Sequence, residues 1–249
     1  MSEFRVVPYL EQPELLKELG NLEEESFPDF LNEDPAWTEV APHFYQEFAA
    51  FQFFIVEEKS NKVVGLCNNV PFNWDDNPDS LPSYQQMMLG ALADWQAGNH
   101  KPNTLSGVLV LLDPEYRGQG LVEMLGGNII GLAKQHEMTS IMVAVRPTLK
   151  EQYPLVSIEE YIQWKNADGK MFDPWLRAQA LMGSKLVKAE PQSTVIDGSV
   201  AQWEAWTKMT FPVSGDYWVP GALSTVHIDL ENDLGRHYEP HVWYKTPVA

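Results

Sequence analysis

Along the 249-residue chain the spacing of apolar positions changes several times, and each change marks an element. Phe4 to Val7 reads as a short first strand. Pro13 to Phe27 carries Leu15, Leu16, Leu19, Leu22 and Phe27 at helical spacing, with Pro28 closing it. Ala36 to Phe51 predicts a second helix. Phe53–Glu57 and Lys62–Cys67 predict two strands joined by the turn Glu58 to Asn61, a β-hairpin. A polar loop at Asp75 to Asp79 precedes a helical pattern from Tyr84 to Gln96. Thr104 to Leu112 then predicts a central strand and Leu121 to Glu137 a helix with Leu121, Met124, Leu125, Ile129 and Leu132 on one face. Ser140 to Val145 predicts the next strand, which such a crossover pairs in parallel with the central one. Ser157 to Lys165 and Asp173 to Met182 predict two further helices. The second is capped by Asp173, has Pro174 in its first turn and ends at Gly183. Strand-like pieces at Ala222 to Leu230 and His241 to Lys245 close the series.

The junction between the central strand and its helix carries the most chemistry. Leu109 to Gly120 reads Leu-Val-Leu-Leu-Asp-Pro-Glu-Tyr-Arg-Gly-Gln-Gly. Glycines let backbone approach a ligand closely, and the first helical turn leaves several N–H groups unpaired. Those amides and the positive end of the helix dipole favour an anion such as a pyrophosphate, to which Arg117 adds a charge-assisted contact. The stretch lacks the Gly-x-x-x-x-Gly-Lys-Ser/Thr of a nucleotide-triphosphate loop and the third glycine of a dinucleotide fingerprint. A tight strand-to-helix turn with no ligand is the bland alternative.

Arg117-Gly118-Gln119-Gly120-Leu121-Val122, entered through Leu112-Asp113-Pro114, resembles the acyl-CoA binding segment of the GNAT (Gcn5-related) N-acetyltransferase superfamily, whose pattern is Arg/Gln-x-x-Gly-x-Gly/Ala. The resemblance implies an α+β fold with a mixed, mostly antiparallel central sheet flanked by helices. It covers Phe4 to Glu190 in element order. Residues 73–103 are then an insertion, and 191–249 an extended segment completing the sheet of a single domain. The resemblance further implies an acyl thioester, from acetyl-CoA or another acyl-CoA, with its pantetheine amides paired to the backbone of Val110, Leu111 and Leu112. Arg117, Gly118, Gln119, Gly120, Leu121 and Val122 would hold the pyrophosphate, and the Leu112 N–H would steady the oxyanion formed when an amine attacks the thioester in a ternary complex. Two positions depart from the pattern: Val122 replaces the last Gly/Ala, and Gln179 stands where the superfamily carries a tyrosine acid. General acid and base stay unassigned, and a CoA-binding or sensor module without turnover is the alternative reading. Phrases such as Val145-Arg146-Pro147, Tyr153-Pro154 and Glu239-Pro240-His241-Val242-Trp243 look like a longer bacterial subgroup of unnamed substrate.

Composition narrows the partners. Thirty-five acidic against seventeen basic residues give a formal charge of −18. That opposes unaided binding to nucleic acid or anionic lipid but names no substrate; a small-molecule amine as the partner of a monomer or homodimer is what the resemblance implies. One cysteine, Cys67, excludes an internal disulfide and sits in an apolar run, as expected of a buried small hydrophobe in a cytoplasmic protein. No run reaches the ~18 apolar residues of a membrane span. His43, His100, His136, His227, His237 and His241 show no metal-ligand spacing, so no metal is expected and ordinary surface or core roles suffice. Tyr153, Tyr161 and Asp173 fall where active-site groups are drawn, with two packing residues and a helix cap as the plainer reading. Glu57 and Glu115 are candidate bases acting through water, or plain surface acids. Arg146, Lys150 and Arg177 are candidates to hold a substrate carboxylate or a cofactor phosphate, or else to pair with surface acids. Trp164, Trp175, Trp203, Trp206 and Trp218 read as core and lid packing, with an apolar or aromatic substrate pocket as their possible use.

Overall fold

The computed structural model describes residues 3–19, 27–116 and 118–248. Among these residues nine strands form one sheet: β1 (Phe4–Pro8), β2 (Phe53–Glu57), β3 (Val63–Phe72), β4 (Thr104–Leu112), β5 (Ser140–Val145), β6 (Lys185–Gly198), β7 (Gly215–Tyr217), β8 (Val226–Asp229) and β9 (Leu234–Pro247). Their order is β1-β2-β3-β4-β5-β9-β8-β7, with β6 along the other side of β9. Among the described residues only β4 and β5 pair in parallel, joined by the crossover helix α3 (Leu121–Gln135). Helices α1 (Pro35–Val40), α2 (Tyr84–Gln96), α4 (Ile158–Tyr161), α5 (Pro174–Leu181) and α6 (Val200–Thr207) and several short 3-10 turns lie between the strands.

Several expected elements differ in extent, each for a local reason. The helix expected over Ala36 to Phe51 stops at Val40 and continues as 3-10 turns at Ala41–His43 and Ala49–Phe51. Pro42 lacks the N–H an α-helix needs and clashes with the preceding turn. Of the helix expected over Pro13 to Phe27, Pro13–Glu18 is a 3-10 turn, while Leu22 lies outside the described residues. Strand β3 runs five residues past its expected end at Cys67. There Asn68 and Asn69 are buried but satisfied: Asn69 N–H donates to Gln52 Oε1 at 2.8 Å, and Gln52 Nε2 donates back to Asn69 O at 2.9 Å. Pro71 is tolerated because β2 pairs with β3 only as far as Cys67, leaving that edge of β3 without a ladder. Helix α4 is only four residues long: after it the chain tightens into i→i+3 bonds, Gln163 N–H to Glu160 O and Trp164 N–H to Tyr161 O, and then turns where Asn166 Oδ1 accepts the N–H groups of Asp168 and Lys170.

The C-terminal third is organised by β9. One side of β9 pairs with β6 from Gly235 to Lys245. Its other side is shared, residues 234–237 pairing with β8 and 242–247 with β5. Residues 238–241 therefore face neither strand on that side. Separate apolar clusters pack the two halves: Phe30, Ile196, Trp203, Phe211, Val226 and Ile228 near α6, and Val145, Ile158, Tyr161, Leu176, Val242 and Tyr244 under α4 and α5. Among the described residues no helix is long and apolar enough to cross a membrane.

Candidate active site

The site begins where β4 leaves β5. The two strands pair only from Thr104–Ser140 to Gly107–Val143. On the opposite edge the ladder to β3 passes from Gly107–Asn69 to Leu109–Asn68, so Val108 is an extra residue, a β-bulge that bends β4 away. Asp113 N–H donates to Val64 O on β3 at 2.9 Å. Alternation along the antiparallel strand then turns the N–H and C=O groups of Leu112 and Val110 to the edge that β5 has left. An extended ligand can add there as a strand would. Leu109 and Leu111 are buried beneath it, whereas Val108, Val110 and Leu112 are half-buried.

The loop that follows is held by its first residue. Asp113 accepts Lys62 Nζ at 2.7 Å and Glu115 N–H at 3.0 Å, and its carbonyl accepts Tyr116 N–H at 3.0 Å. Burial pushes the Asp113 carboxyl up, but Lys62 and the Glu115 amide outweigh it and hold it below the usual range. Gly118 and Gly120 are exposed, with φ of 76° and 80°, conformations that a side chain disfavours. Gly120 is the N-cap of α3 and supplies no side-chain acceptor, so the first-turn amides of this 15-residue helix have no side-chain cap. Gln119 is exposed, Leu121 is buried in the core, and Val122 is half-buried at a regular helical position with its N–H unaltered by the branched side chain. Arg117 lies outside the described residues.

Opposite this edge the fold brings together residues far apart in sequence. Tyr84, the first residue of α2, donates its hydroxyl to Val108 O at 2.9 Å, and its ring lies 5.3 Å from that of His241 on β9. It thus spans from β4 to β9 over the point of divergence. Burial raises the Tyr84 phenol, and Asp34 adds to this. In the stretch of β9 that neither β5 nor β8 covers, Glu239 is 1% exposed and accepts Arg146 Nε at 2.5 Å and His237 Nε2 at 2.6 Å. Arg146 Nη2 also donates to Gly221 O at 2.5 Å. Burial pushes the Glu239 carboxyl up, yet Arg146 and His237 overcome it and hold it at about 2. Burial drives the His241 imidazole down to about 4; Glu239 pulls it up, while Arg146 and His237 push it down.

The other cations expected to meet a substrate are engaged within the fold. Arg146 pairs with a buried acid rather than a surface one. Lys150 is 1% exposed and donates to Tyr153 O at 2.8 Å and Leu223 O at 2.6 Å, burial lowering it to about 8. Arg177 donates to Met171 O and Phe172 O at 2.7 and 3.0 Å. Asp173 caps α5 through Trp175 N–H and Leu176 N–H and also accepts Leu149 N–H at 2.8 Å and Tyr161 Oη at 2.9 Å. Tyr153 and Tyr161 pack with Trp164 and Phe172, and Trp175 joins that cluster. Trp203 is fully buried beside Phe30 and Trp206, while Trp218 is 58% exposed, so these tryptophans do not form one wall. Glu57 accepts Ser60 Oγ, Glu115 is exposed near Lys62, and Gln179 is buried in α5. Cys67 is fully buried, which pushes its thiol up to about 12. Among the described residues no three His, Cys, Asp or Glu side chains gather as a metal would require. Sequence reasoning missed Tyr84, Glu239 and His241 as a group. The only local signal was the apposition of Glu239 and His241 on alternate positions of one strand.

With that geometry in place, the comparisons with known proteins are specific. The acetyltransferase (GNAT) family pattern matches residues 16–155. The "Arginine N-acetyltransferase avaD" of Aspergillus versicolor is 28% identical over 251 aligned residues, covering 89% of this chain and 85% of the relative. The loading GNATL domain of CurA from Lyngbya majuscula superposes with a TM-score of 0.64 at 18% identity over 98% of each chain. The GphF GNAT-like decarboxylase in complex with isobutyryl-CoA superposes at 0.57 with 15% identity over 99% of each chain. At such identities the structural likeness establishes the fold.

Proposed function

The chain belongs to the acetyltransferase (GNAT) family, N-acetyltransferases that draw on acyl-CoA, and from that premise we propose how it holds its substrates and which amine it takes. The thioester arm of acetyl-CoA lies along the open edge of β4, pairing with Val110 and Leu112, and the pyrophosphate sits against Gly118, Gln119, Gly120, Leu121 and Val122, with Arg117 beside it. The observation that carries this reading is the divergence of β4 from β5 after Gly107, which frees a strand edge leading straight to the uncapped N-terminus of α3. The Leu112 N–H, on that edge, steadies the oxyanion. The amine attacks the thioester directly, in a ternary complex.

The acceptor is arginine or a close guanidino analogue. Likeness to the Aspergillus versicolor arginine N-acetyltransferase over most of both chains supports this, and the formal charge of −18 favours a cationic acceptor over an anionic one. The test is calorimetric titration with acetyl-CoA, then thiol release with L-arginine, agmatine, L-lysine and an arylalkylamine, with the acetylated position read by mass spectrometry. Turnover greatest with L-arginine or agmatine is the expected result. Preference for the arylalkylamine would overturn the acceptor, and absence of acetyl-CoA binding would overturn the placement of the donor.

A further inference from the structure

Among the described residues four buried side-chain polar atoms find no hydrogen-bond partner: Ser106 Oγ, Trp203 Nε1, His241 Nδ1 and Trp243 Nε1. Three of them share one face of the sheet. Ser106 on β4 is in register with Met142 on β5, Ala144 two residues on is in register with Trp243 on β9, and His241 is two residues from Trp243. Register partners and alternate residues point to the same side, so Ser106, Ala144, Trp243 and His241 form one floor across three strands. Ala144 is the small residue in its middle. Tyr84 lies over this floor, and the Val108 bulge at its rim is where β5 and β4 part. Buried polar groups are ordinarily paired, and several orphans on one surface at a strand split mark a place where a ligand completes the bonding.

We propose that His241 is the catalytic base, its Nδ1 taking the proton of the attacking acceptor nitrogen above a floor shared with Ser106 and Trp243. The inference rests on the N-acetyltransferase reading. As the acyl carbon gains its bond to nitrogen and loses its bond to sulfur, the nitrogen's proton passes to His241. His241 then returns it to the leaving thiolate, and the imidazole ends neutral. Acid and base are one group, so the tyrosine absent at Gln179 is not required. The ionisable groups around His241 suit this role. Glu239 and His237 on its own strand, Arg146 after β5 and the raised phenol of Tyr84 surround an imidazole that burial keeps unprotonated and ready to accept. Glu190 is in register with His241 across β6, pairs with Lys188 Nζ at 3.0 Å, and with it lines a cavity of about 430 Å³ between β6 and α2, giving the acceptor a polar approach on the same face.

The experiment compares wild type with His241→Asn and His241→Gln, which can still hydrogen-bond but cannot carry the proton. General-base removal lowers turnover by about 10²–10⁴-fold. A hundredfold or greater fall in kcat is expected, with KM and acetyl-CoA affinity within threefold of wild type and the residual rate rising with pH as solvent base substitutes. Should the variants fail to fold, ¹⁵N-histidine spectra of the wild type decide. Adding the best acceptor of the amine panel to the CoA-saturated protein must shift the His241 Nδ1 resonance. Wild-type turnover with kcat retained within threefold in folded variants, or acceptor binding without that shift, overturns the assignment alone. A wild-type protein that acetylates no amine of the panel overturns the transferase reading and the assignment with it.

Discussion

Replacing Arg146 by methionine tests whether the buried network around Glu239 is an obligate charge pair. Glu239 is fully buried, and its carboxylate is held at about 2 against burial by the guanidinium 2.5 Å away and by His237. Methionine retains the apolar stem but leaves the carboxylate with His237 and a longer bond from Leu223 N–H at 3.4 Å. Breaking a buried pair by removing one partner costs about 3–5 kcal/mol. At roughly 2–4 °C per kcal/mol for a chain of this size, the midpoint of thermal unfolding should fall by about 6–20 °C at pH 7. The sign of the pH dependence follows. In the wild type the lowered carboxyl stabilises fully above its unfolded value of 4.5, and that contribution fades as pH falls toward 2. Without Arg146 burial raises the carboxyl instead, so the variant's deficit narrows as pH falls from 7 toward 4.5. Adding Glu239→Gln removes the stranded charge and should recover about 2 kcal/mol or more of the loss. Urea denaturation of all four members of the cycle, followed by circular dichroism, measures this. A single-variant loss under about 1 kcal/mol, or a double variant no more stable than Arg146→Met, would refute the reasoning.

Three further outcomes are expected. His241, at about 4 in the fold against 6.5 unfolded, contributes stability that is complete above pH 6.5 and is lost on acidification toward pH 4, by about 3 kcal/mol; His241→Asn should flatten that stretch of the urea-midpoint profile. Gly120→Glu should weaken acetyl-CoA binding at least tenfold by calorimetry, since φ of 80° disfavours any side chain and a carboxylate there repels the pyrophosphate, while the melting temperature falls only modestly. Asp173→Ala strands two α5 amides, Leu149 N–H and the Tyr161 hydroxyl, and should cost about 2–4 kcal/mol by chemical denaturation.

What was legible in the sequence was local. The strand Thr104–Leu112, the glycines before α3 and the cap at Asp173 announce themselves because period, turn chemistry and capping act within a few residues of one another. Pro42 was also in plain view as a helix breaker, and the apolar spacing around it concealed its effect. The long-range contacts around β9 were not legible. Arg146 and Glu239 are 93 residues apart, Tyr84 and Val108 come from different layers, and a glutamate in a strand gives no sign that its neighbours will bury it. The bulge at Val108 depends on the register with Asn68 and Asn69, which only the paired strands define.

The placement of β9 has a consequence for how the protein is made. Strand β5 emerges from synthesis about a hundred residues before its partner Val242–Pro247, an interval of about 5–20 s at ordinary elongation rates. Throughout it, Ser140–Val145 presents a bare, apolar backbone edge of the kind that recruits foreign strands. Substitutions that slow the docking of β9 should therefore show themselves first as insoluble protein in the producing cell, before any purified sample reveals a lower melting point.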